Sequence, residues 1–266
     1  MELKIIVINT LREYLDWVEQ CYKRNAYYRG HADIDWRLIP RVFRSPFQGL
    51  VSECRLLKLA SSLAWHELSK YHTYLEKLIF LQHYGLPTRL LDVTFNPLVA
   101  LYMACCSENN RDGVVYVGYR YEQDNICLAE ITLEYLFNHS YIMAKKDLQK
   151  FAKDKNLAFE DFCKPLFIYP PLNSPRIERQ QGAFVMAPYA KNNGIPFDVN
   201  DNFDSTNFFE KSKAVIPTSN KERILRQLSI LGINGASLYQ DITHKLTCIT
   251  QEEKWRIQDQ DNIELE

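Results

Sequence analysis

The chain reads as an α+β fold: a single domain with a small mixed or antiparallel sheet flanked by helices. Helix start signals recur along it, short apolar runs without helical period fall between them, and no repeat or linker breaks its composition. Residues 2–8 are the first such run and read as a strand. Thr10, three residues before Glu13, opens a helix to about Lys23 with the reciprocal capping pattern. Residues 26–29 read as a second strand ended by Gly30, and a loop rich in Arg and aromatic residues follows to about Gly49. Ser52 opens a helix to about Lys70, and Thr73 with Glu76 opens another that Gly85 ends. Asn96-Pro97 starts a helix through Cys106 that is apolar on nearly every side and is expected to be buried. Arg111-Asp112-Gly113 turns into a strand at 114–118. Residues 130–163 predict two short helices, 165–171 an extended piece, 176–188 a strand, 191–207 a polar loop and 214–216 a short strand. Ser219 with Glu222 begins a helix that Gly232 stops. The domain is expected over 1–250, and 251–266 reads as a polar acidic tail, frayed or lying as a solvated face.

Of the 266 residues, 46% are hydrophobic and 24% charged, which suits a globular protein with a sizeable core. A formal net charge of -1 argues against capture of nucleic acid or anionic membrane by the whole surface, while leaving room for a local basic patch. The seven cysteines form no Cys-x-x-Cys pair, so neither a zinc ribbon nor a thioredoxin-type motif is indicated, and Cys105 and Cys106 read as small core residues. No run approaches 18 uncharged apolar residues, and the amino terminus lacks an export signal. A cytoplasmic location without membrane partners is the expectation.

The densest polar cluster lies between two apolar segments, in Leu81-Gln-His-Tyr-Gly-Leu-Pro-Thr-Arg-Leu-Leu-Asp-Val-Thr-Phe-Asn-Pro97. Gln82, His83, Thr88, Arg89, Asp92, Thr94 and Asn96 must satisfy one another or a ligand there. Arg89 and Asp92 are expected to pair and hold the entry to the buried helix, with Thr94 or Asn96 as cap; the helix terminus beyond Asn96 also suits an anion. A second cluster runs from Arg24 to Arg44, where five arginines interleave with Tyr27, Tyr28, Trp36 and Phe43. Guanidiniums bind phosphate and rings stack on bases, so the cluster suits a nucleotide or a short single strand; its plainer reading is a solvated loop with Trp36 and Phe43 in the core. Within it, His31, Asp33 and Asp35 lack the further ligands a metal centre needs, and no metal is expected. The third cluster is Arg176-Ile-Glu-Arg-Gln-Gln-Gly-Ala-Phe184. As a strand it would place Glu178 and Gln180 on one face, suited to ribose hydroxyls and to positive charge at an anomeric carbon, or it is an exposed polar edge. Phosphate-loop, dinucleotide-binding and nucleophile-elbow motifs are absent.

These three segments, in this order, resemble the FRG domain family, named for a Phe-Arg-Gly motif. The motif reads Tyr28-Arg29-Gly30 here, followed by Trp36, Leu38, Pro40 and Arg44. The run from Leu81 to Asp92 is similar to the family's second block almost letter for letter, and Asn96-Pro-Leu-Val-Ala-Leu-Tyr102 continues it. Arg176, Gln180, Gly182 and Phe184 resemble its third block, and Leu238-Tyr-Gln-Asp241 resembles its end more loosely; together they span roughly residues 20–245. Two positions depart: Tyr28 stands for Phe, and Val93 for the usual Trp. The resemblance implies an ADP-ribosyltransferase-like fold and an enzyme that cleaves NAD as its substrate and modifies a nucleic acid or protein, as a bacterial toxin or phage-defence effector. By that resemblance Arg29 would hold the NAD pyrophosphate or ribose, and Gln180 or Glu178 would bond the ribose hydroxyls and favour the oxocarbenium-like state. His31, His83, Arg89, Asp92, Thr94, Asn96 and Arg176 would complete the nucleotide site. The alternative is a non-catalytic nucleotide or nucleic-acid binding module.

Overall fold

The computed structural model describes residues 4–120, 126–139, 142–170, 175–191 and 209–263. Its strands are β1 (Lys4–Val7), β2 (Ala26–His31), β3 (Leu90–Thr94), β4 (Gly113–Tyr119), β5 (Leu166–Ile168), β6 (Gly182–Met186) and β7 (Phe209–Ile216). They form one sheet in the order β1-β7-β4-β2-β3-β6-β5. Among the described strands β1 and β7 run parallel, and the other neighbours are antiparallel. Among the described residues the helices are α1 (Leu11–Cys21), α2 (Leu50–Leu63), α3 (Trp65–Leu68), α4 (Tyr74–His83), α5 (Pro97–Cys105), α6 (Ile126–Asn138), α7 (Lys145–Asp154), α8 (Pro175–Arg179), α9 (Thr218–Ile230), α10 (Gly235–Leu238) and α11 (Ile242–Ile263). The α+β class and the mostly antiparallel sheet are as expected.

Capping residues set three helices where the pattern placed them, while α2 begins at Leu50 rather than at Ser52. Thr10 accepts from Glu13 N, Thr73 and Glu76 cap each other's backbone, and Asn96 accepts from Leu98 N and Val99 N. Gly85 and Gly232 take the left-handed conformations that end α4 and the α9 turn (φ 96° and 78°).

Several expectations need correction. Gly30 does not end β2, which continues to His31. Residues 90–94, read only as part of a polar turn, are a central strand, because four of their five side chains are buried, Leu90 against α2, α4 and α6 and Leu91 and Val93 against the Leu38–Phe43 segment. The predicted helix from Ser52 to Lys70 breaks at Ala64 into α2 and α3. Residues 176–188 are not one strand: α8 occupies 175–179, and β6 begins only at Gly182 after Gln181 adopts a positive φ of 46°. Asp112 Oδ1, rather than Ser219, receives the first-turn amide of α9, from Thr218 at 2.8 Å. Part of the supposed tail lies in α11, a 22-residue helix. The expected loop at 192–207 falls outside the described residues.

Three buried clusters hold the layers. Side-chain alternation along β2 sends Tyr28 into a cluster with Trp17 of α1, Leu101 of α5 and Leu228 of α9. Tyr27 instead joins Leu38, Val93 and Phe167. The third cluster gathers Leu57 of α2, Leu78 of α4 and Leu133 of α6 against Leu90, Phe184 and Ile168. A Cβ at Gly30 would fall inside the Ala100 carbonyl, and one at Gly113 inside that of Ala104. So α5 rests on β2 and the start of β4 backbone to backbone, which only glycine permits.

The start of β3 is fixed by a buried ion pair. Arg89 donates to Glu53 through its backbone N (3.1 Å), Nε (2.9 Å) and Nη2 (2.6 Å), and through Nη1 to Ala187 O at 3.2 Å. Both side chains are fully buried. The pair ties α2 to β3 and to the end of β6, and neither charge has water to fall back on. Glu53→Ala is therefore expected to destabilise the fold by about 3–5 kcal/mol in urea denaturation, and Glu53→Met with Arg89→Met to recover most of that loss. Gly30→Ala should also unfold the chain at a lower urea concentration, because α5 must move to admit the methyl group.

Candidate functional site

β2 pairs with β4 at six positions but with β3 at one, Tyr28 opposite Thr94. Beyond that point the two central strands part, and backbone acceptors of β3 facing the gap have no ladder partner. Arg29 enters the gap: its Nη1 donates to the Asp92 carbonyl at 2.9 Å and stands 3.7 Å from the Asp92 carboxylate. The naming pair of the motif thus has two jobs, Arg29 bridging the parted strands and Gly30 admitting α5.

A cleft of about 220 Å³ opens over this gap, and Arg29, Arg41, Arg44, Arg176, Gln82, His83, Asp92 and Gln180 are among its walls. Four guanidiniums face one carboxylate, so a chain of net charge -1 concentrates positive potential here. Arg44 is held by two bonds to Ile39 O, from Nε at 2.9 Å and Nη2 at 2.7 Å. Burial, then the neighbouring Arg29, pulls its pKa down to about 10, so it stays charged at neutral pH. Burial also lowers Arg29, with the Asp92 carboxylate opposing. His83 is lowered by partial burial and then by Arg176, which favours its neutral form. Arg41 reaches across to Gly85 O at 3.3 Å.

Asp92 is oriented by a relay. The Thr88 hydroxyl donates to Gln82 Oε1, which leaves Gln82 Nε2 to donate to Asp92 Oδ1 at 2.9 Å. On the far wall Gln180 Nε2 donates to Leu238 O at 3.3 Å and Arg179 Nη1 to Ser237 O at 3.4 Å. The Arg176 guanidinium lies over the Tyr239 ring, 5.1 Å from its centre. The turn from α10 to α11 thereby backs α8 against the cleft.

Of the residues expected at the site, Arg29, His83, Asp92, Arg176 and Gln180 converge on the cleft. Arg89 does not: its partner is Glu53, not Asp92, and it is buried away from the opening. The expected Arg89–Asp92 pair is replaced because β3 is a strand, in which residues three apart point to opposite faces. Glu178 is exposed on α8 and is not among the cleft walls, since the helical turn separates it from Gln180. Thr94 donates to Gln180 O at 2.6 Å, and Asn96 caps α5; both position walls without lining the cleft. Asp33 and Asp35 engage Arg111. His31 lies buried between Trp36 and Tyr116. Neither of its ring nitrogens makes a hydrogen bond of good geometry, although the Trp36 backbone lies near enough to oppose its shift. Burial first, then Arg29 and Arg44, holds its pKa well below 6.5. Arg41 is marked in the sequence only as a member of the Arg-rich loop, Arg44 also by its place in the first block, and Tyr239 only by its place in the last block.

Residues 24–113 match the family model of the FRG domain. The match holds β2, the Arg-rich loop, α4, β3 and α5, while Arg176 and Gln180 come from downstream of it. No curated protein and no solved structure matches the chain. No described helix is long and apolar enough to cross a membrane.

Two measurements check this geometry. The Asp92 side chain is 59% exposed, so Asp92→Ala should leave stability within about 1 kcal/mol, in contrast to Glu53→Ala. Below pH 6.5 the unfolded chain protonates His31 and the folded chain does not, so His31 lowers stability as pH falls through that range. Relative to wild type, His31→Gln should gain stability on acidification, by up to about 1.4 kcal/mol per pH unit. A pH-independent difference in urea midpoints would contradict the buried neutral imidazole.

Proposed function

We propose that the cleft binds NAD and that the protein is an ADP-ribosyltransferase-like enzyme, transferring ADP-ribose to a nucleic acid or protein. The observation that carries this reading is the convergence of Arg29, Arg44, Arg41 and Arg176 around Asp92 at the parting of the central strands. Guanidiniums suit the two phosphates of a dinucleotide, and a carboxylate suits the positive charge that grows on the ribose as nicotinamide leaves. At about 220 Å³ the cleft encloses only part of a dinucleotide, so the remainder would lie over its rim. In this assignment Arg29 and Arg44 bind phosphate, and Gln180 orients ribose hydroxyls. Asp92 takes the role first expected of Glu178, because it alone among the described cleft walls is a carboxylate. The glycosidic C–N bond breaks with its electron pair going to nicotinamide, the acceptor attacks the anomeric carbon, and the acceptor's proton is released. The Thr88–Gln82 relay holds Asp92 for this task. Such an activity fits a toxin or phage-defence effector acting inside bacterial cells.

Incubation with NAD labelled in its adenylate half tests the proposal. Wild type should release nicotinamide and label a nucleic-acid or protein fraction. Arg29→Ala should lower kcat/KM roughly 10- to 100-fold, the worth of a charged hydrogen bond. Asp92→Asn should lower kcat by on the order of 10²-fold with little change in KM. A folded wild type that binds nucleotide with steep salt dependence and consumes no NAD would instead support a non-catalytic binding module.

A further inference from the structure

A second cavity lies among helices α5, α9, α10 and α11 and, at about 450 Å³, has roughly twice the volume of the Arg-rich cleft. Among the described side chains of α11, up to residue 260, none joins the three buried clusters. Its ties to α9 are polar instead: Ser229 Oγ donates to Glu252 Oε1 at 3.0 Å, and Arg226 Nη1 to Asp259 Oδ1 at 2.7 Å. The helix therefore stands off from α9 across a space that no side chain of the described residues fills. Packing alone gives such a helix little reason to sit there.

The cavity walls indicate what would fill it. Tyr102, Leu225 and the Trp255 ring supply apolar area, and the thiols of Cys105, Cys106 and Cys248 add to it. Burial raises all three thiols, Cys105 to about 12, which keeps them uncharged. The Lys221 ammonium at the cavity is fully engaged, donating to Ala32 O, Ser107 O and Glu108 O at 2.6, 3.1 and 3.0 Å. The Trp255 indole Nε1 is shielded even from a water molecule, so the ring meets the cavity through its apolar atoms. Lys254 adds an ammonium at the same opening.

We propose that this cavity is a second ligand site, for a planar aromatic molecule of about nucleoside size that carries an anionic oxygen acceptor. Its volume lies in the range of small-molecule sites. The ring would lie against Tyr102, Leu225 and Trp255, and the oxygen would accept from the Lys254 ammonium at the opening. The site does not depend on the function proposed for the cleft. It abuts the same turn, however: His244 lines the cavity and stacks on Tyr239 at 3.9 Å, and Tyr239 carries Arg176 of the cleft on its ring.

The probe is 8-anilinonaphthalene-1-sulfonate, an aromatic anion whose emission rises in apolar sites, titrated into the full chain. Saturable binding of one probe per chain is expected. Lys254→Met should weaken it at least roughly tenfold, the worth of one charged hydrogen bond. Cys106→Phe, which places a ring in the cavity, should abolish it, with thermal unfolding confirming that the variant folds. Excess ADP, directed at the Arg-rich cleft, should not displace the probe. Absence of saturable binding, displacement by ADP, or unchanged affinity in both folded variants would each overturn the second site. None of these outcomes bears on NAD consumption, so the two proposals fail separately.

Discussion

The parting of β2 from β3 is the constraint on which the rest of the molecule turns. A sheet that opens along its centre exposes backbone acceptors that the ladder would have used. Here the guanidinium of Arg29 occupies the opening, bonding the Asp92 carbonyl at 2.9 Å. A neutral side chain of that length would leave a gap, and a lysine would lack the planar fork that lets one group hold a carbonyl while facing a carboxylate. The same residue that stabilises the parting also charges it. The cleft is thus a consequence of how the sheet is built, and its positive potential is inherited from the group that bridges it.

Around that opening the protein separates stability from display. The Glu53–Arg89 pair is fully buried and pins β3 from beneath, where loss of either partner strands a charge. Asp92, three residues along, is mostly exposed and is steered by Thr88 and Gln82. Rigid strands carry Arg29 and Asp92, while α8 and the turn into α11 bring Arg176 and Gln180 from a distant part of the chain. Glycine at position 30 lets α5 approach β2 closely, and α5 in turn carries the Asn96 cap that ends the β3 segment.

Much of this was legible in the amino-acid order, and the failures have physical causes. Local signals held at three of five helix starts: Thr10, Thr73 and Asn96 cap the helices they were expected to cap, whereas Ser52 and Ser219 lie inside helices that begin at Leu50 and Thr218. The polar segment 81–97 did mark the site, since so many hydrogen-bonding groups beside a core require partners. What could not be seen was which partner each group takes. Arg89 prefers Glu53, 36 residues away, over Asp92, three residues away, once residues 90–94 are recognised as a strand. That strand escaped notice because its buried run is short and flanked by polar groups on both sides. Glu178 was misplaced for the opposite reason: a five-residue helix broke the two-residue alternation that would have set it beside Gln180. Arg41 and Arg44 converge with Arg176 only through tertiary packing, which no spacing rule encodes.

Calorimetric titration with ADP tests the central claim most directly, because it reads the cleft's charge without requiring turnover. One ADP should bind per chain, with affinity falling at least roughly tenfold in Arg29→Ala and again on raising salt. Equal ADP affinity in wild type and a folded Arg29→Ala variant would contradict the account, for the bridging guanidinium would then have no part in what the cleft receives.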